Sequence, residues 1–120
     1  MNYLQKRVKS FGYAFKGIGT LIRTQPHARI HLMATVIVVG AGFLVEVTRM
    51  EWLALVGAIG MVWVAEAVNT AIEFLTDLAS PDYHPLAGKA KDVAAGAVLI
   101  AAIIAVVIAG LVFIPYALTL

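Results

Sequence analysis

Residues Trp52–Asp77 read WLALVGAIGMVWVAEAVNTAIEFLTD. Through Ala65 the stretch carries no charge, and then Glu66, Asn69, Glu73 and Asp77 follow at helical spacing. At 3.6 residues per turn these four side chains fall within about 80° of one another, so on a helix they form one polar stripe. Alanine, valine, isoleucine, phenylalanine and leucine take most of the remaining surface. The stretch therefore predicts a long helix of two natures, apolar enough at its start to enter a bilayer and acidic along one face at its end. If Asp77 lies near the interface, Glu66 lies roughly 16 Å deeper along the axis. A charge in a membrane span costs about 3 kcal/mol on insertion scales unless it faces protein or water, which makes the stripe the first candidate for a functional site.

The composition around this helix fixes the class. Of 120 residues, 62% are hydrophobic and only 13% charged, which excludes an ordinary soluble domain and predicts an all-α integral membrane protein. The length allows about three spans of about 20 residues plus one short extra element, all within a single membrane domain. There is no cysteine, so disulfides, thiolate metal sites and cysteine nucleophiles are excluded.

Upstream, Leu4, Val8, Phe11, Phe15, Ile18 and Ile22 recur at alternating spacings of four and three, while Lys6, Lys9, Lys16 and Arg23 lie away from that face. Residues 1–25 thus read as a basic amphipathic helix in the headgroup region, ended by Pro26. A first span follows over 29–47, with Arg29 at its mouth and His31 as an interfacial hydrogen-bonding residue. Glu46–Glu51 reads as a short loop and 52–79 as the second span with a polar end. Residues 80–92, SPDYHPLAGKAKD, read as a polar loop, and 93–118 as a third span whose small residues favour close helix packing. Six of the nine lysines and arginines precede the first span, two lie in the 80–92 segment, and only Arg49 lies in the other loop. This asymmetry predicts a multi-pass membrane protein with the N-terminus and the stripe end cytoplasmic and the C-terminus outside.

The acids and the lysines of the 80–92 segment then share one side of the membrane. Carboxylates and a side-chain amide can hold Mg²⁺, lysines can balance phosphate charge, and a carboxylate can orient or deprotonate an attacking hydroxyl. Phosphoryl transfer fits this set, although no Walker or protein-kinase glycine loop is present. A cation pathway or a proton relay would use similar acids.

EAVNTAIEFLTD followed by SPDYHPLAGKAKDVAAGAVLI resembles the small prokaryotic integral-membrane diacylglycerol kinase family, particularly its undecaprenol kinase branch. The similarity extends to GYAFKG at 12–17 and ARIHL at 28–32. The resemblance implies a homotrimer of three-span chains in the bacterial cell (inner) membrane, with active sites shared between subunits, ATP as phosphoryl donor, Mg²⁺ as cofactor and a membrane lipid alcohol, undecaprenol or diacylglycerol, as acceptor. It assigns Glu66 as general base toward the lipid hydroxyl and Glu73 as a metal ligand. Asn69, Tyr83, His84, Lys89, Lys91 and Asp92 match positions around the nucleotide, as do Lys6 and Tyr13 of the first helix. Asp77 and Arg29 match supporting positions. Where the family usually has a second metal-binding glutamate, this chain has Gln25, which offers a carbonyl oxygen and no charge. Nucleic acid is not an expected partner.

Two other classes are compatible with the stripe. A small oligomeric cation or proton conduit would conduct without ATP. A non-catalytic membrane adaptor would tolerate neutralisation of Glu66 and Glu73 together.

Overall fold

The computed structural model describes residues 1–120 as four helices: α1 (Tyr3–Thr24), α2 (Pro26–Leu44), α3 (Arg49–Ala79) and α4 (Pro85–Leu118). Each start is fixed locally. The Asn2 carboxamide accepts the Gln5 N–H at 2.8 Å while the Gln5 side chain accepts the Asn2 N–H at 3.1 Å, a capping box that opens α1. Thr48 and Glu51 form the same reciprocal pair at the start of α3.

Two prolines whose sequence context suggests breakers are helix starts. Pro26 and Pro85 each occupy a first-turn position, where the missing N–H has no intrahelical partner to lose. Gln25, in extended conformation, is therefore the single hinge residue between α1 and α2, with no loop between them. Likewise the linker after α3 is only residues 80–84, closed by the His84 Nδ1 acceptor for the Leu86 N–H at 3.1 Å. Lys89, Lys91 and Asp92, expected in a loop, lie on the first turns of α4.

Three helices, α2, α3 and α4, are long and apolar enough to cross a bilayer. At 1.5 Å per residue α3 is about 46 Å long against a hydrocarbon core of about 30 Å, so its acidic end can reach the interface while its apolar end stays inside. α3 packs principally on α4, with α2 laid against α3. The closest packing is at the end remote from the stripe, where Val47, Leu55 and Val112 are buried and Val38, Trp52, Ile108 and Phe113 lie against them. Gly42 lets the Trp52 ring lie close against α2 there, because a Cβ at that position would come to 2.5 Å from the ring and force it to shift.

Only 13 of 120 residues are buried, and long apolar side chains such as Val36, Ile37, Phe43, Leu99, Ile103 and Leu111 are exposed along the spans. A soluble fold could not keep that surface in water. In a bilayer such a surface faces lipid at no cost. Along α1, Leu4, Val8, Phe11, Phe15 and Ile18 are exposed, and the helix is covered only near its end, where Leu21 is buried.

Candidate active site

The stripe on α3 is graded in depth. Glu66 retains 2% of its exposure and Asn69 8%, Glu73 is half-buried, and Asp77 is exposed. One turn links to the next: the Asn69 Nδ2 amide donates to Glu73 Oε1 at 3.3 Å. Thr70, also buried, returns its hydroxyl to the Glu66 carbonyl at 2.9 Å, so its polarity is spent within α3. The Glu66 carboxylate accepts no hydrogen bond in the chain. Its nearest polar neighbour is His31 Nε2 on α2, 3.4 Å from Oε2.

α4 supplies the second wall. Lys91 Nζ pairs with Asp77 Oδ1 at 2.5 Å, joining the shallow end of the stripe to the second turn of α4. Both side chains are substantially exposed, so the pair adds little to stability and its value lies in placing an ammonium beside the acids. Asp77, Lys91, Tyr83 and His84 line one polar crevice of about 170 Å³ together with Ser80 and Asp82. Lys89, two residues from Lys91, projects from a different side of α4 and lines a separate open groove with Asn69. Asp92 makes no ion pair.

The remaining candidates are not drawn into this cluster by a single chain. Lys6 and Tyr13 are exposed on α1 and their side chains bond nothing on α3 or α4. The Gln25 amide donates to its neighbour Thr24 Oγ1 at 3.2 Å, and Arg29 Nη2 to the Arg23 carbonyl at 3.4 Å, a long bond that ties α2 back to the last turn of α1. His31 packs against the deepest acid of the stripe. Its ring meets Trp63 edge to face, with centroids 6.5 Å apart. Its position opposite Glu66 has no signature in the sequence, because spacing within a helix says nothing about register between helices.

No three acidic or histidine side chains converge in one chain, so a complete protein cage for a metal is absent. Two oxygens of the stripe are nevertheless left free. Asn69 Oδ1 is buried with no hydrogen-bond partner, beside a Glu73 carboxylate of which only Oε1 is engaged. Such an oxygen set suits Mg²⁺, which is commonly held by one or two carboxylates with substrate phosphates and water completing the shell.

A family model described as prokaryotic diacylglycerol kinase matches residues 12–113, which take in the whole stripe and part or all of every helix. The chain belongs to the prokaryotic diacylglycerol kinase family. It is 42% identical to the undecaprenol kinase of Bacillus subtilis over 95% of its own length and 93% of that protein. It is 40% identical to a diacylglycerol kinase of Synechocystis over 92% of its length and 64% of that protein. To the diacylglycerol kinase of Escherichia coli K12 it is 32% identical, covering 83% of this chain and 82% of that one. As a member of this family the chain is an ATP-dependent lipid kinase. Neither the conduit nor the adaptor accounts for a family match of this extent.

Proposed function

We propose that this kinase transfers the γ-phosphate of ATP to the primary hydroxyl of undecaprenol, with diacylglycerol as the second reading. The observation that carries a lipid-alcohol acceptor is the depth of Glu66. A carboxylate this buried, at the polar end of an apolar helix, meets a hydroxyl that stays with its lipid, not one that arrives through water. The similarity to an undecaprenol kinase over nearly the full length of both chains supports the order of the two acceptors.

In this reading Glu66 accepts the hydroxyl proton as the lipid oxygen attacks the γ-phosphorus in line and ADP departs. Lys91 balances phosphate charge from the crevice it shares with Tyr83 and His84, and Asp77 holds it there. Asn69 orients Glu73. Glu73, the free Asn69 carbonyl and Gln25 are the residues that would hold Mg²⁺, with Arg29 in support. The ion when bound supplies charge neutralisation at the transferred phosphate. Lys89 and Asp92 contribute to the nucleotide side.

The site is completed by neighbouring subunits in a homotrimer. Two features support this: one chain gathers only part of a metal shell, and Lys6 and Tyr13 are without partners on α3 and α4. α1 lies in the headgroup layer on the Leu4, Val8, Phe11, Phe15 and Ile18 face, within residues 1–25 of the single domain. The spans lie within α2, α3 and α4, and the excess of lysine and arginine before the first span and around the 80–92 segment supports a cytoplasmic stripe in a bacterial cell.

The test is radiolabelled γ-phosphate transfer in mixed micelles with each alcohol offered separately. Faster labelling of undecaprenol is expected. Labelling of diacylglycerol alone reverses the acceptor order, and labelling of neither rejects the reading.

A further inference from the structure

His31 sits in an arrangement that the phosphoryl-transfer reading leaves unused. The polar groups stitched around it are employed. The Trp63 indole N–H donates to Thr35 Oγ1 at 2.9 Å, and the Thr35 hydroxyl donates in turn to the His31 carbonyl at 2.7 Å. Trp63 also stands edge-on to the imidazole, its plane turned by 69°. α2 and α3 are thus joined around the ring, and the ring is held. Its Nε2 nevertheless has no hydrogen-bond partner although it is buried. Glu66 Oε2 lies only 3.4 Å away, but not in a direction that makes a hydrogen bond.

A buried polar atom without a partner is costly and calls for a missing group. The missing group must satisfy two neighbours at once. An imidazole N–H needs an acceptor and the carboxylate needs a donor, and a hydroxyl is both. An apolar groove leads up to the ring. His31 lines the end of an apolar groove of about 180 Å³ between α2, α3 and α4, whose walls include Ala34, Val38, Ala58 and Ala105. Small side chains leave space there for a slender hydrocarbon tail.

We propose that His31 is the second half of the acceptor site: Nε2–H donates to the oxygen of the lipid alcohol while that hydroxyl donates to Glu66. The inference rests on the reading of Glu66 as the base. On attack the hydroxyl proton passes to Glu66, the new O–P bond forms, and ADP leaves with the electrons of the broken bond. His31 keeps its proton throughout. Its part is to fix the direction of the hydroxyl toward the carboxylate. Trp63 and Thr35 are positioning residues, acting only through the ring.

The experiment measures KM and kcat for acceptor and ATP in mixed micelles, with undecaprenol and dioleoylglycerol as probes, for the wild type, His31→Leu and His31→Gln. Losing one hydrogen bond at a buried site should raise the acceptor KM of His31→Leu about tenfold while the ATP KM stays put. His31→Gln, whose amide N–H can replace Nε2–H, should recover most of that loss. An unchanged acceptor KM in His31→Leu overturns the proposal, as does an equal rise for ATP or a fall in kcat alone.

A second measurement needs no variant. An analogue of the accepted alcohol with hydrogen in place of the hydroxyl should inhibit the wild type about tenfold more weakly than the alcohol binds. Equal affinity overturns the proposal even if His31→Leu does not assemble. Failure of the base reading is seen separately, as retained turnover in Glu66→Gln, and failure of the function as labelling of neither alcohol by the wild type.

Discussion

α3 carries one glutamate in its first turn and another deep in its second half, and the two are treated in opposite ways. Glu51 is engaged by its own chain: one of its carboxylate oxygens accepts the Thr48 N–H at 2.8 Å and the Tyr116 hydroxyl at 2.5 Å, so that it caps α3 and clasps the end of α4. Glu66 is buried, accepts no hydrogen bond, and faces an imidazole nitrogen that is also without one. Both residues are acids on the same helix. The difference is that the first end is satisfied by its own chain and the second waits for something else. A protein keeps unpaired buried polar atoms where their pairing is part of the work, and completes the bonds where only shape is needed. The Gly42–Trp52 contact and the Val47, Leu55 and Val112 cluster lie at the satisfied end, as a structural role requires.

The sharpest way to break this contrast is Glu66→Gln. The amide keeps the size of the side chain and cannot accept the hydroxyl proton as a base. Turnover should fall by roughly 10²- to 10⁴-fold with the ATP KM unchanged, measured by γ-phosphate transfer. Near-normal turnover would place the base elsewhere and make the buried acid a structural one like Glu51.

Glu73→Gln acts two turns closer to the interface. Its side-chain oxygen can still accept from Asn69, so the local geometry is kept and only the charge is lost. The Mg²⁺ titration of activity should shift to higher concentration by roughly 10- to 100-fold, the scale on which even supporting residues of metal sites act. An unchanged titration would remove Glu73 from the metal shell. Recovery of activity at high Mg²⁺ separates this loss from the Glu66→Gln loss, which metal cannot repair.

The unsatisfied end is more legible in the sequence than the satisfied one. The 3.6-residue period by itself places Glu66, Asn69, Glu73 and Asp77 on one face, and composition alone announces three spans. Local breaks are harder to place. The run of polar residues around Pro85 suggests a loop, yet the proline opens α4, and only on that helix do Lys89 and Lys91, about 200° apart, point to different sides. A proline is equally at home in a turn and in the first turn of a helix, so its presence does not choose between them. Contacts between helices have no sequence signature at all. His31 with Glu66, Trp63 with Thr35 and Tyr116 with Glu51 join residues 28 or more positions apart, and their register comes from packing, which no periodicity encodes.

The smallest effect is expected from Tyr116→Phe, at the satisfied end. It deletes one donor to Glu51 and leaves the other, because the Thr48 N–H bond belongs to the capping box and does not depend on α4. The phenylalanine ring retains the apolar contact against Val47, Leu55 and Val112. Thermal unfolding in detergent should therefore move down modestly, while acceptor KM, ATP KM and kcat stay at wild-type values, since no residue of the stripe or of the polar crevice touches this pair. A kinetic change as large as that of Glu73→Gln would mean that the clasp between the far ends of α3 and α4 sets the spacing of Asp77 and Lys91 as well. The two glutamates would then belong to one mechanical unit and not to two separately built ends.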